Sequence, residues 1–130
     1  MLNTKQLNIH FPFKSNHLTR AYTKSAKKLF CFQCGMTIKG INRVLDARKL
    51  SLKTSGASNG QTIAGAVSTG THGSAFDVGA VQDSVVGIHL LTGPSSHVWL
   101  ERASYPVVRS GFANMLGARL VRDDDLFNAA

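Results

Sequence analysis

The sequence predicts an α+β domain. Three observations carry that expectation. An alternating apolar run, "KLFCFQC", passes directly into "GMTIKGINRVLDARKL", where apolar residues recur at three- and four-residue spacing. Two short apolar runs, "VVGIHLL" and "HVWLE", flank a Gly-Pro turn, and three acids precede Leu-Phe in "RDDDLFNAA". Period two marks strands and period 3.6 marks helices, so strands and helices are mixed, with one strand–helix–strand crossover rather than a repeated series. The expected architecture is a mixed or antiparallel sheet flanked by helices.

Taken in order, residues 1–25 read as an irregular basic segment, with "FPF" and "SNH" as turn punctuation. Residues 26–130 form the domain proper. The strand over "KLFCFQC" sends Leu29, Cys31 and Gln33 to one face and Phe30, Phe32 and Cys34 to the other. In the helix that follows, Thr37 is positioned as the N-cap, and Met36, Ile38, Ile41, Val44 and Leu45 form the apolar face. "LSLKTSG" returns as a short extended piece into a glycine-rich stretch. A second strand, Val85 to Leu91, is bounded by Asp83-Ser84 and by Gly93-Pro94. "SSHVWLERAS" is its antiparallel partner, with Val98 and Leu100 on one face and Trp99 on the other. The acids at 123–125 sit where negative charge favours a helix N-terminus, so a helix begins there.

Composition narrows the function classes. At 130 residues the chain is about one domain or a piece of one. No apolar run approaches the roughly 18 residues of a membrane-spanning helix. The first residues lack the apolar core and small-residue cleavage site of a secretory signal, so the cytoplasm is the expected compartment. The net charge of +8 is unevenly spread: residues 1–53 hold eleven Lys and Arg against one acid, Asp46, whereas residues 54–130 hold four against six. A basic first part steers anions of any kind, including phosphate-bearing cofactors. Basic residues are not interleaved with aromatic ones as a single-strand platform requires, so nucleic acid is not the expected partner. Cys31 and Cys34 have the spacing of a redox dithiol or half a zinc site. The five histidines are scattered without metal-site spacing, so no metal is expected and both cysteines read as packing residues.

The segment "SGASNGQTIAGAVSTGTHGS" has the unusual chemistry. Glycine permits positive φ and close backbone approach, and serine and threonine hydroxyls add rotatable donors, which together suit a diphosphate. The P-loop is excluded, because no lysine follows Lys53. The dinucleotide fingerprint is excluded by the spacing of Gly65, Gly70 and Gly73. Ile63, Ala64, Ala66 and Val67 are apolar, unlike a free linker, so the loop is expected to be packed. For His72, no acid precedes Asp77 nearby, and chain order gives no Ser-His-Asp arrangement. A donor or shape-setting role in a ligand loop fits it better than a metal or catalytic-base role.

The run from Ser55 to Gly93 closely resembles the flavin-binding domain of the vanillyl-alcohol oxidase type, the PCMH-type FAD-binding domain of aldonolactone, alditol and sterol oxidases. The residues that carry it are Ala64-Gly65-Ala66-Val67-Ser68-Thr69-Gly70-Thr71-His72-Gly73-Ser74, followed by "GAVQD" and a Val-rich strand. "FCFQCGMTIKGINRVLDARKLSL" resembles the preceding strand and helix of that family, and "VRDDDLFNAA" its acidic helix. The resemblance spans about residues 25–130 and implies FAD as cofactor. Carried over by position, Ser58 and Thr62 face the diphosphate and Gly65 allows close approach. Thr69, Gly70, Thr71, His72 and Gly73, with Ser74 beside them, line the flavin. Small residues let an isoalloxazine ring lie against backbone, and donors near its N1 side stabilise the reduced form.

The sequence also departs from that family. Its upstream Gly-x-Gly-His-Ser loop has no counterpart in residues 1–30, where "SNHLTRA" has the histidine without the glycines. The family's later Gly-x-Phe/Leu-Gly motif and substrate domain are not found before Ala130, so the chain reads as a partial domain. The expected function is the FAD-binding portion of an oxidoreductase that oxidises an alcohol, sugar lactone or sterol by hydride transfer. The alternative is a non-enzymatic truncated relative, an interaction module whose basic first part binds an acidic partner or nucleic acid.

Overall fold

The computed structural model describes residues 10–23 and 28–129. Their backbone forms five strands and five helices: β1 (His10–Pro12), α1 (Arg20–Thr23), β2 (Phe30–Phe32), α2 (Ile38–Asp46), α3 (Ile63–Ser68), β3 (Ile88–Gly93), β4 (Ser96–Glu101), α4 (Ser110–Met115), β5 (Arg119–Arg122) and α5 (Asp124–Ala129). One sheet pairs β1 with β2, and the other has the order β3-β4-β5. The chain is thus α+β, and the larger sheet is mixed: β3 and β4 are antiparallel, β4 and β5 parallel. The chain divides into two compact units, one of Met1–Phe11 with Phe30–Val85, the other of Pro12–Leu29 with Val86–Ala130.

The first unit is organised by α2. Ile38, Ile41 and Leu45 are buried on one face, with Met36, Ala66 and Val81 completing the core and Phe30, Phe32 and Leu50 packed against it. Thr37 caps α2, its hydroxyl accepting from the Gly40 amide at 3.1 Å. The helix stops at Asp46. Lys49 then turns left-handed (φ 55°), and the amides of Lys49 and Leu50 return to the carbonyls of Asp46 and Leu45. This is the usual helix-stop pattern, with lysine where glycine is favoured. Of the two cysteines, Cys31 is half-buried, and burial together with the neighbouring Cys34 raises its thiol above the ordinary value. Cys34 is exposed, so it is not a packing residue: β2 ends at Phe32, and the strand alternation that would have turned Cys34 inward does not continue.

The second unit is built on the β3–β4 hairpin. Strand β3 starts at Ile88 rather than Val85, because residues 81–84 wind into a single 3₁₀ turn. Val98, Trp99 and Leu100 are all buried, so β4 is covered on both faces. Trp99 packs edge-on to Phe13 and Phe112, with ring centres 6.1 Å and 5.4 Å away, and over Gly87, where a Cβ would lie 2.6 Å from the indole. The parallel partner β5 arrives through a crossover containing α4, which Gly117 (φ +66°) terminates. The predicted acidic helix is α5; Asp123 caps it by accepting from the Leu126 amide at 2.8 Å.

Glu101, at the end of β4, is fully buried and is surrounded by donors. Its carboxylate accepts from Trp99 Nε1 at 3.0 Å, from the Val108 amide at 3.0 Å and from Arg122 Nε at 2.9 Å. Arg122 also donates to the Val108 carbonyl, so one ionic cluster ties β4, β5 and the segment before α4. A buried charge is tolerable only when paired and hydrogen-bonded in this way.

Candidate functional site

The glycine-rich segment lies wholly in the first unit and is not one loop. Its middle is α3, opened by Thr62, whose hydroxyl accepts from the Gly65 amide at 3.2 Å. The sequence motif here, Thr62-Ile63-Ala64-Gly65, repeats the motif that opens α2, Thr37-Ile38-Lys39-Gly40. The two threonines face each other across an antiparallel bridge. Each helix start is then completed by the segment that leads into the other. Ile38 and Lys39 donate to the carbonyls of Gln61 and Asn59, and Ile63 and Ala64 donate to those of Met36 and Cys34. The first amides of both helices are therefore satisfied by protein, as orphan helix-end donors must be when they are removed from water.

At its other end α3 is stopped by Gly70, whose φ of +62° lets the amides of Gly70 and Thr71 return to the carbonyls of Val67 and Ala66. This stop reverses the chain and lays residues 71–73 against residues 54–56. Gly73 donates to the Thr54 hydroxyl at 3.0 Å, and a Cβ on Gly73 would lie 3.0 Å from the Ser55 carbonyl. A Cβ on Gly56 would lie 2.7 Å from the Thr71 methyl. The expectation of a packed loop holds, and these two glycines are the ones whose missing Cβ permits the contact. The Thr69 hydroxyl bonds the Gly65 carbonyl at 2.9 Å and meets the Thr71 hydroxyl at 3.1 Å, which lies 3.4 Å from Gln61 Oε1.

His72 is exposed, and its Nδ1 lies 2.9 Å from the Gly73 carbonyl. A carbonyl only accepts, so in the neutral ring Nδ1 carries the proton and Nε2 the lone pair. Ser58 and Ser74 are exposed; the Ser58 hydroxyl accepts from the Gly60 amide at 3.4 Å. Among the described residues, the consecutive amides of Ser55, Gly56, Ala57 and Ser58 donate to no protein acceptor. The same segment edges a groove of about 520 Å³ whose other wall is α2, with Lys39, Arg43, Asp46, Ser55 and Asn59 among its lining. The structure thus brings Thr62, Gly65, Thr69, Gly70, Thr71 and Gly73 together around α3 and its stop, and leaves the side chains of Ser58, His72 and Ser74 at the surface. Sequence reasoning missed Thr54, Gly56 and Gln61. The available signal was the composition of "TSGAS", which matches that of "STGTHGS".

Hydroxyls, amides without a protein acceptor among the described residues, and Lys39 and Arg43 set against the single acid Asp46 are the kinds of group that suit a phosphate-bearing ligand. Comparison with known proteins gives the family. A family model described as FAD binding domain matches residues 15–101, and the chain belongs to that family. It is also similar to the D-arabinono-1,4-lactone oxidases of Eremothecium gossypii (34% identical over 74 residues, 57% of this chain and 14% of that protein), Debaryomyces hansenii (39% over 59 residues, 45% and 11%) and Yarrowia lipolytica (30% over 91 residues, 70% and 16%). The chain spans about a sixth or less of the length of these curated relatives. No solved structure matches it. FAD is the cofactor these matches indicate, and they give no support to the interaction-module alternative. No helix among the described residues is long and apolar enough to cross a membrane.

Proposed function

We propose that residues 54–74 are the surface on which this chain holds FAD, as the flavin-binding part of an oxidoreductase acting on a sugar lactone. The reading that the substrate is a lactone, rather than another alcohol or a sterol, rests on the names of the relatives. The observation that carries the site is the packing of residues 71–73 onto 54–56, where Gly73 and Gly56 have no Cβ to keep the two backbones apart. Pre-formed donors lose little freedom on binding, so they favour the ligand more than a mobile loop would.

In this reading the amides of α3 are not the diphosphate donors, because Ile63, Ala64 and Gly65 are already engaged. The amides of residues 55–58 and the hydroxyls of Ser58 and Thr62 take that part, and Gly65 keeps the approach open. Thr62 accepts one hydrogen bond from Gly65 and retains its own proton to donate. Thr69, Gly70, Thr71, His72 and Gly73 run along the flavin, with Ser74 beyond them. When bound, FAD supplies the two-electron acceptor for hydride transfer from a carbon bearing a hydroxyl. The protein's part is to hold and orient the ring and to place donors beside it. Lys39 and Arg43 outweigh the one acid of the groove, Asp46, and the remaining positive charge raises the local concentration of anions there.

Titration of the full chain with FAD, followed by the visible spectrum of the flavin, tests this. Saturable one-to-one binding is expected, weakened at least tenfold by Gly73→Val, which drives a branched side chain into Ser55 and Thr54. The absence of saturable binding, or equal affinity in Gly73→Val, overturns the assignment.

A further inference from the structure

His89 and His97 have no metal-site spacing in sequence, but the hairpin places them side by side. Its register pairs His89 with Trp99 and Leu91 with His97, so the two histidines are diagonal neighbours on one face of β3–β4. Diagonal cross-strand side chains are within reach of one another. Their ring centres are 5.4 Å apart, with planes inclined by 51°. Two imidazoles bound to one tetrahedral metal at about 2.0–2.1 Å have ring centres about 5 Å apart, so little rearrangement separates this pair from a chelating one.

Two further observations point to a missing partner. His97 Nδ1 is buried, and among the described residues no hydrogen-bond donor or acceptor reaches it. Buried ring nitrogens without partners are uncommon, and an absent ion is one of the recognised reasons. His89 is exposed, so its ring is free to turn toward its neighbour. No group of three or more metal-binding side chains occurs among the described residues, so a site here leaves its outer positions to water or to a ligand.

We propose that His89 and His97 form a two-imidazole site for a borderline divalent transition-metal ion such as Zn(II), with His97 Nδ1 as the inner ligand and His89 as the outer one. Imidazole suits zinc, copper and nickel, and oxygen-seeking ions such as Mg(II) and Ca(II) are not retained by such a pair. The site stands independently of the flavin reading, since it uses no residue of that surface.

The test is calorimetric titration of Zn(II) into the full chain carrying Cys31→Ser and Cys34→Ser, which removes competing thiols. Binding of one equivalent is expected, weakened at least tenfold by His89→Ala and by His97→Ala, with the ring resonances of both histidines shifting together in the NMR spectrum. His89 is exposed, so His89→Ala remains decisive even if His97→Ala fails to fold. No saturable binding, affinity within threefold of the parent in His89→Ala, or affinity retained by a folded His97→Ala each overturns the proposal.

Discussion

Replacing Glu101 by alanine removes the only acceptor shown for two buried donors, and the cost can be worked from the geometry. Trp99 Nε1 and the Val108 amide each lose a 3.0 Å bond and stay buried. An orphaned buried donor costs about 1–3 kcal/mol, so the pair alone is worth roughly 2–6 kcal/mol. Arg122 loses its 2.9 Å contact, but its side chain is 38% exposed and recovers most of the loss from water. The expected destabilisation is about 3–5 kcal/mol, the range for breaking a buried ion pair from one side. Glu101→Gln is milder, at about 1–3 kcal/mol: its oxygen can still serve Trp99 and Val108, but its amide then faces the Arg122 N–H donor-to-donor. Urea unfolding followed by the fluorescence of Trp99, the chain's only tryptophan, reads both changes at the cluster itself. A loss below about 1 kcal/mol for Glu101→Ala would show that the cluster is not a buried, fully satisfied unit, and the reasoning would fail.

Four other outcomes are expected. Lys49→Gly should raise stability by about 1 kcal/mol in urea unfolding, because it relieves a left-handed lysine at the end of α2. Gly70→Ala should cost about 1–2 kcal/mol through its backbone conformation alone, since the nearest atom to an added Cβ is 3.8 Å away; Gly56→Ala, whose Cβ would meet the Thr71 methyl at 2.7 Å, should instead part the two halves of the shelf and weaken FAD binding more than it weakens the fold. Asp124 accepts from the Ser104 hydroxyl and amide, and the hydroxyl bond is the main cause holding its carboxyl below the ordinary value. A carboxylate depressed in the folded state adds stability above its unfolded pKa, near 4, and loses it as pH falls through the folded value. The stability difference between wild type and Asp124→Asn should accordingly be constant at neutral pH and shrink below about pH 4 in acid titration.

What the sequence made legible is what short-range chemistry decides. The apolar face of α2, the Thr37 cap, the β3–β4 hairpin and the acid-led α5 each depend on a few adjacent residues, and each formed, β3 with a later start. Helix α3 was not read because "IAGAVS" has small side chains and no long apolar stripe; the repeated Thr-Ile-x-Gly start was its signal. The short β1 and α1 lie in a stretch without periodicity. The α4 crossover and β5 were also missed, since a parallel partner is set by tertiary pairing rather than by a turn. The Glu101–Arg122 pair, the diagonal of His89 and His97, and the contact between Gly56 and Thr71 all depend on folded register, which spacing along a chain does not encode. Cys34 was misplaced for the opposite reason: the alternation was real, but the strand ended two residues before it.

The central claim is that residues 54–74 form a packed shelf that FAD covers when it binds. Amide hydrogen exchange of the full chain with and without FAD tests it most directly. The account predicts slowed exchange concentrated in residues 54–59 and 71–74, where the amides of Ser55 to Ser58 have no acceptor among the described residues, and little change across α3's first amides, which are already bonded. Saturating FAD that leaves residues 54–74 unprotected, or protects only segments elsewhere in the chain, would contradict it.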